Sequence, residues 1–284
     1  MQRPSTTSTE GSKIGALRRR LLDLLREHEA DRALPTSNRF LYYELIQRGY
    51  LSKHQTGARR PDQNLHDALT DLRESGEVPW HWIVDETRSL DDYTGYSSIK
   101  DGALAVLEAI TLDPWRGKPP IILTESRSLA GVLRELVKDY ATRIASTNGQ
   151  CGGFLRTDLV PALRPGDVVL YLGDFDLSGH QIEDNTRRVL EREVGGPLEW
   201  ERLAITREQI EQHSLPIITK RDRRYKDGRP HEAVETEALT QTVLVGMLRD
   251  RLDQLLPEPL GGVHERARRQ RQRIAAMLNR GESP

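Results

Sequence analysis

From Lys13 onward apolar residues recur every three to four positions, and IGALRRRLLDLLREHEADR therefore predicts an amphipathic helix. LPTSNRFLYYELIQRGYL repeats the pattern, with Thr36 or Ser37 as N-cap and Gly49 as stop. QNLHDALTDLRESGEVP predicts a third helix ending at Gly76, and WHWIVDET alternates apolar and polar positions as a strand does. Beyond residue 102 the period keeps changing. The helical pattern ALAVLEAI precedes the proline-bounded run PPIILTES, followed by SLAGVLRELVKDYA, the short TRIAST, a Gly-rich NGQCGG loop, the apolar DVVLYLGD and the long SGHQIEDNTRRVLERE.

Two units follow from this order. Residues 13–88, three short helices and then a β segment, have the order of a winged helix, in which the third helix (about 63–75) would face the DNA major groove. Other three-helix packings give the same string. Residues 1–12 are Ser/Thr-rich and read as a disordered tail, and 89–102 (SLDDYTGYSSIKDG) as a polar linker. Strands alternating with helices over 103–260 predict an α/β domain on a parallel, doubly wound, Rossmann-like sheet. Residues 261–284 form a basic C-terminal helix or tail.

Composition narrows the function. Of 284 residues, 30% are charged and 36% apolar. No run of 18 apolar residues is present, and MQRPSTTSTEGSK lacks the apolar centre of a signal peptide, so the expectation is a cytoplasmic protein without a membrane segment. The lone Cys151 excludes an internal disulfide and a cysteine-cluster zinc site. The net charge of -1 conceals basic stretches: residues 1–73 hold 13 Lys+Arg against 9 Asp+Glu, and KRDRRYKDGR and ERARRQRQR are more basic still. Any DNA contact is therefore local, with Arg59, Arg60, Lys220, Arg221, Arg223 and Arg224 as candidates.

The candidate chemistry lies at strand ends, where open α/β sheets bind ligands. Glu125 ends IILTE, and Asp174 and Asp176 end VVLYLGDFD. Carboxylates from neighbouring strand ends suit a hard divalent cation such as Mg2+, and Gly179 leaves room where the next helix begins. DFDLS also resembles the DxDx[TV] signature of haloacid-dehalogenase phosphatases. That motif belongs on a domain's first strand, and such an enzyme has no use for Glu125.

A glutamate ending one strand and a DxD followed closely by glycine ending a later one resemble the Toprim domain, in the variant of the topoisomerase VI A subunit and the meiotic double-strand-break transesterase. SNRFLYYEL (37–45) is similar to that family's basic-residue-then-YY motif, and AVETEAL (233–239) to an acidic segment downstream of its Toprim core. The resemblance spans roughly residues 30–245. It implies a winged helix followed by a Toprim-like domain, Mg2+ as cofactor, double-stranded DNA as substrate and a homodimer whose tyrosine and Toprim sites meet across the interface. The helical wheel sets Leu41, Tyr42, Leu45 and Ile46 on one stripe and Tyr43 between Arg39 and Gln47 on the polar side. Tyr42 is thus expected in the core and Tyr43 as nucleophile, the position the family motif also selects, with Arg39 favouring the phenoxide. Where the family has a proline between the second aspartate and the glycine, this chain has Leu177 and Ser178. It carries no ATPase motif, so strand passage would need a separate ATPase subunit. A Toprim nuclease without a covalent intermediate, of a defence or plasmid-restriction type, and a non-catalytic, nucleoid-associated DNA-binding protein fit the same string.

Weaker signals remain. Trp80, Trp82 and Trp115 read as core, His180 as a solvated helix-start residue near the site, and Glu235 and Glu237 as possible additions to the acidic group.

Overall fold

The apolar runs that end in the candidate carboxylates form adjacent strands. In the computed structural model, which describes residues 13–52, 61–84, 92–149, 152–221 and 229–280, β1 (Ile121–Thr124) lies at the centre of a parallel sheet of order β2-β1-β3-β4. Its partners are β2 (Arg143–Ser146) and β3 (Val168–Leu172), and β4 (Glu199–Ala204) extends the sheet beyond β3. Strand side chains alternate between faces. Ile122, Leu170 and Leu172 enter one core, while Ile121, Leu123, Val169 and Tyr171 enter the other. The first face is covered by α5 (Arg127–Asp139) and α9 (Gln241–Leu255). The second is covered by α7 (Leu177–Val194) and by one turn, α6 (Gly152–Phe154), that continues as π and 3-10 turns to Ala162. The mixed α/β class and the parallel sheet agree with the sequence reading.

The chain runs from β1 outward to β2 and then returns to the other side of β1 as β3. Between the carboxyl ends of β1 and β3 the direction of winding reverses, the place where doubly wound sheets open a ligand crevice.

Three helices precede the sheet: α1 (Lys13–Ala30), α2 (Asn38–Gln47) and α3 (Pro61–Glu74). They pack around their own core of Leu17, Leu21, Leu24, Leu41, Leu45, Leu65 and Leu69. Ser37, not Thr36, caps α2 by accepting from the Phe40 N–H, and Gly49 ends it at φ +72°. The expected strand at 80–87 is not formed over its first part. Trp80–Trp82 make a 3-10 turn, and only Ile83 bridges, in parallel, to Thr36. Residues 85–87 of that reading lie outside the described residues, as do the tail 1–12, Cys151, Arg59, Arg60, Arg223 and Arg224.

The linker reading also ends too late, because α4 (Ile99–Ala109) begins inside it, capped by Ser98. Beyond β4 come α8 (Arg207–Gln212) and an antiparallel pair, β5 (Ile218–Arg221) with β6 (Pro230–Ala233). The basic α10 (Leu260–Arg280) closes the chain against α4, where Arg271 donates to the Ile110 carbonyl at 2.7 Å. Among the described residues no helix is long and apolar enough to cross a membrane.

Trp115 is buried, as expected, and its indole N–H donates to the Tyr140 carbonyl. Trp82 packs at the edge of the helical core. Trp80 departs from its core assignment: it is 58% exposed, and its ring is covered on one side by the Arg73 guanidinium 4.0 Å away.

Candidate active site

Glu125 follows β1 and Asp174 follows β3, and the pairing of these strands sets the two carboxylates side by side. The Glu125 Oε2 accepts from the Asp174 backbone N–H at 3.0 Å. Gly179 makes this approach possible. A Cβ there would stand 2.2 Å from the Asp174 carbonyl oxygen and 3.3 Å from Glu125 Oε2. From β4, Arg202 braces the same loop by donating to the carbonyls of Gly173 and Asp174, and its other side pairs with Glu183 on α7.

The third expected ligand stands close enough for its charge to act on Glu125, and it also has a structural task. Asp176 is the N-cap of α7, its Oδ1 accepting from the Gly179 N–H at 2.8 Å. Further carboxylates join the acidic group from the segment around Thr236, 62 residues beyond Asp174. Phe175 and Val234 exchange backbone hydrogen bonds of 2.8 and 3.0 Å, which lays residues 234–238 along the DFD loop. Thr236 then gives Asp174 Oδ1 both its N–H, at 2.8 Å, and its hydroxyl, at 2.9 Å. Glu235 and Glu237 arrive with it. Glu237 is fully buried, and its Oε1 accepts from the hydroxyls of Ser126 and Ser128 at 2.8 and 3.1 Å.

Helix α2 abuts this cluster with the face read as polar. Arg39 Nη2 lies 2.6 Å from Glu235 Oε2 and its Nε 3.3 Å from Glu237 Oε1. One turn on, the Tyr43 hydroxyl is hydrogen-bonded to Glu235, and a turn further Gln47 donates to the Ala238 carbonyl. The expected exposure of the tyrosines is thereby corrected. Tyr43 is only 2% exposed, whereas Tyr42 is partly buried between the two cores. The wheel assumed one apolar face, but α2 is packed on both sides. Leu41 and Leu45 enter the helical core, and Phe40 and Tyr43 enter the core of the sheet unit.

Electrostatics follow from the crowding. Burial, then the charges of Glu125 and Glu237, push the Asp174 carboxyl up to about 7, against the opposing Thr236 N–H. Burial also raises Glu125, with the Asp174 N–H pulling the other way. Burial and the hydrogen bond to Glu235 hold the Tyr43 proton well above the ordinary phenol range. Burial disfavours the Arg39 charge, yet Glu237 and Glu235 outweigh it, so the guanidinium stays charged. Burial, then Arg202, lowers His180, whose ring meets Phe175 edge to face at 5.2 Å.

Among the described residues no three His, Cys, Asp or Glu side chains converge as a ready metal cage. Mg2+ asks for less, since it binds through one or two carboxylates and keeps several waters. Two features fit such an ion: the burial and neighbouring like charge that lift Asp174, and the buried Glu237 Oε2, which has no hydrogen-bond partner among the described residues. Glu125 and Asp174 are the side chains that would hold it.

The candidate DNA contacts gain less. Lys220 and Arg221 lie on β5. The outward face of α3, expected in the major groove, carries Asp62, Asp67, Asp71 and Glu74, all exposed. Such a face repels phosphates instead of neutralising them.

A scan against protein-family models and a search of curated proteins returned no match to this chain.

Proposed function

We propose that the protein cleaves DNA strands at the acidic crevice between β1 and β3, with Mg2+ and with Tyr43 as nucleophile, after the manner of the topoisomerase VI A subunit. The observation that carries the reading is the placement of Glu125 and Asp174 together at the point where the sheet reverses its winding, with Asp174 lifted to about 7 by burial and by the charges of Glu125 and Glu237. A Mg2+ ion on Glu125 and Asp174 would neutralise charge on a phosphate and orient it.

The residues of α2 supply the rest. Tyr43 already donates its proton toward Glu235. In the transesterification the Tyr43 Oη–P bond forms, a P–O bond to a deoxyribose oxygen breaks, Glu235 takes the phenol proton, and the leaving oxygen is protonated from solvent. Arg39, held by Glu235 and Glu237, supplies positive charge beside the phenol. In this reading the helical unit is a winged helix and the sheet unit a Toprim domain. The resemblance adds a homodimer, and DNA is gripped by the basic residues near 59–60 and 220–224 rather than by α3.

The burial of Tyr43 at 2% favours a second reading, hydrolysis by water at the same acidic site without a covalent intermediate. A supercoiled-plasmid assay with Mg2+ or EDTA separates the two when wild type, Tyr43→Phe and Asp174→Asn are compared and the products denatured. Protein-linked ends that vanish in both variants support transesterification. Free ends that survive Tyr43→Phe and vanish in Asp174→Asn support hydrolysis. Intact plasmid under every condition overturns both.

A further inference from the structure

A cavity of about 930 Å³ opens between α2 and α3, beside the acidic crevice, within the size range of sites that take small ligands or single side chains. Its walls include Asn38, Arg39, Tyr42, Asp62, Asp67 and Glu235. Three of these are carboxylates. Arg39 is the cation among these wall residues, and it already pairs with Glu235 and Glu237. Each carboxylate has contacts of its own, but two oxygens with several lone pairs accept more than one donor.

The ring of Tyr42 forms the aromatic part of the wall. It stands edge to face with Tyr43, at 5.5 Å and 80°, so the T-shaped contact leaves its geometry fixed. Asp62 and Glu235 both lie near enough to act on its hydroxyl. Outside the cavity the same sign of charge continues along α3 through the exposed Asp71 and Glu74, countered by Arg18 near Asp71 and Glu77 at 3.7 and 3.6 Å.

An aromatic face ringed by carboxylates and rich in acceptors is complementary to a planar cation with many donors. Phosphate is the wrong charge for the Asp62 and Asp67 side of the cavity, and a nucleobase would draw its own phosphates toward those carboxylates. A guanidinium offers five N–H donors in a flat fork and stacks on aromatic rings. We propose that the cavity is the docking site for an arginine side chain on a basic segment of a partner protein, with Tyr42 as the stacking face, Asp62 and Asp67 as the charge partners, and the acidic outer face of α3 as the track for the rest of the segment. This inference does not depend on DNA cleavage. The seated guanidinium would share a wall with Tyr43 and Glu235, so partner binding and the crevice are physically adjoining.

The test is a titration of the full-length protein with N-acetylarginine amide, followed by amide resonances of α2 and α3 at low salt, with N-acetyllysine amide and guanosine run in parallel. The expected result is a saturable shift with arginine in the millimolar range and a weaker one with lysine. The Asp62→Asn/Asp67→Asn double variant, which alters only exposed side chains, weakens arginine binding about tenfold. Tyr42→Leu weakens it similarly while Tyr42→Phe retains it, with melting temperature as the check on folding. No saturable shift with arginine, or one indifferent to the double variant, overturns the proposal. Tyr42-dependent binding of guanosine in preference to arginine also overturns it and makes the cavity a nucleobase site.

Discussion

At the scale of the residue, Asp174 carries the largest electrostatic cost. Its carboxyl is pushed from 3.8 to about 7, so between those values the folded chain holds a proton that the unfolded chain has lost. Stability therefore falls as pH rises through that window, and above it the group opposes folding by an amount on the order of 4 kcal/mol at most. Asp174→Asn, which keeps an oxygen for Thr236, is expected to raise the melting temperature of metal-free protein at pH about 8, with the gain shrinking toward pH about 5. Mg2+ should raise the melting point of wild type at the higher pH and leave the variant unmoved. A variant no more stable than wild type at either pH would mean that Asp174 meets no such repulsion. Asp174 was legible at this scale because a carboxylate directly after an apolar run has few places to go. The capping role of Asp176 was legible too, since aspartate followed three residues later by a helical Gly179 N–H is an ordinary N-cap, although the sequence reading weighed only its DxD spacing.

At the scale of the element, hydrophobic period located β1, β3, α5 and α7, because each buries an apolar face, and the short TRIAST run located β2, which is only partly covered. Period did not locate β4. EWERLA is an edge strand whose charged residues hold partners across the surface, as Glu201 does with Arg251 at 2.8 Å. Period also failed on α2, whose polar stripe of Arg39, Tyr43 and Gln47 bonds to residues 235–238, with Tyr43 buried there. No local pattern reveals a partner nearly 200 residues away. The first turn of α7 gives the sharpest test of local packing. Gly179→Ala places a methyl on the Asp174 carbonyl and is expected to cost about 2 kcal/mol and to displace Asp174 from Glu125. Gly246→Ala in α9, where a Cβ meets nothing within 4 Å, should instead stabilise by about 0.5–1 kcal/mol. Denaturant titration of the two variants checks both, and equal effects would show that the α7 turn tolerates a side chain.

At the scale of the whole molecule, the helical and sheet units are joined by chemistry that each would otherwise leave unsatisfied. Arg39 neutralises the buried Glu237, Gln47 serves the Ala238 carbonyl, and Gln241 at the start of α9 reaches back to the Pro35 carbonyl at 2.9 Å. Phe40 and Tyr43 belong to the sheet core although their helix belongs to the bundle. Two cores that share a helix should melt together, so calorimetry of wild type is expected to show one transition with calorimetric and van't Hoff enthalpies in agreement. Arg39→Ala strips the counter-charge from a fully buried carboxylate, and it should cost about 2–3 kcal/mol and separate the units into two transitions. Adding Glu237→Gln removes the stranded charge and should recover part of the loss, whereas a mere packing role for Arg39 would leave the double variant no better than the single one. Because Glu237 lies beside Asp174 and Glu235 takes the Tyr43 hydrogen bond, the pair that holds the units together also sets how closely α2, with Tyr43 on it, is kept against the acidic crevice.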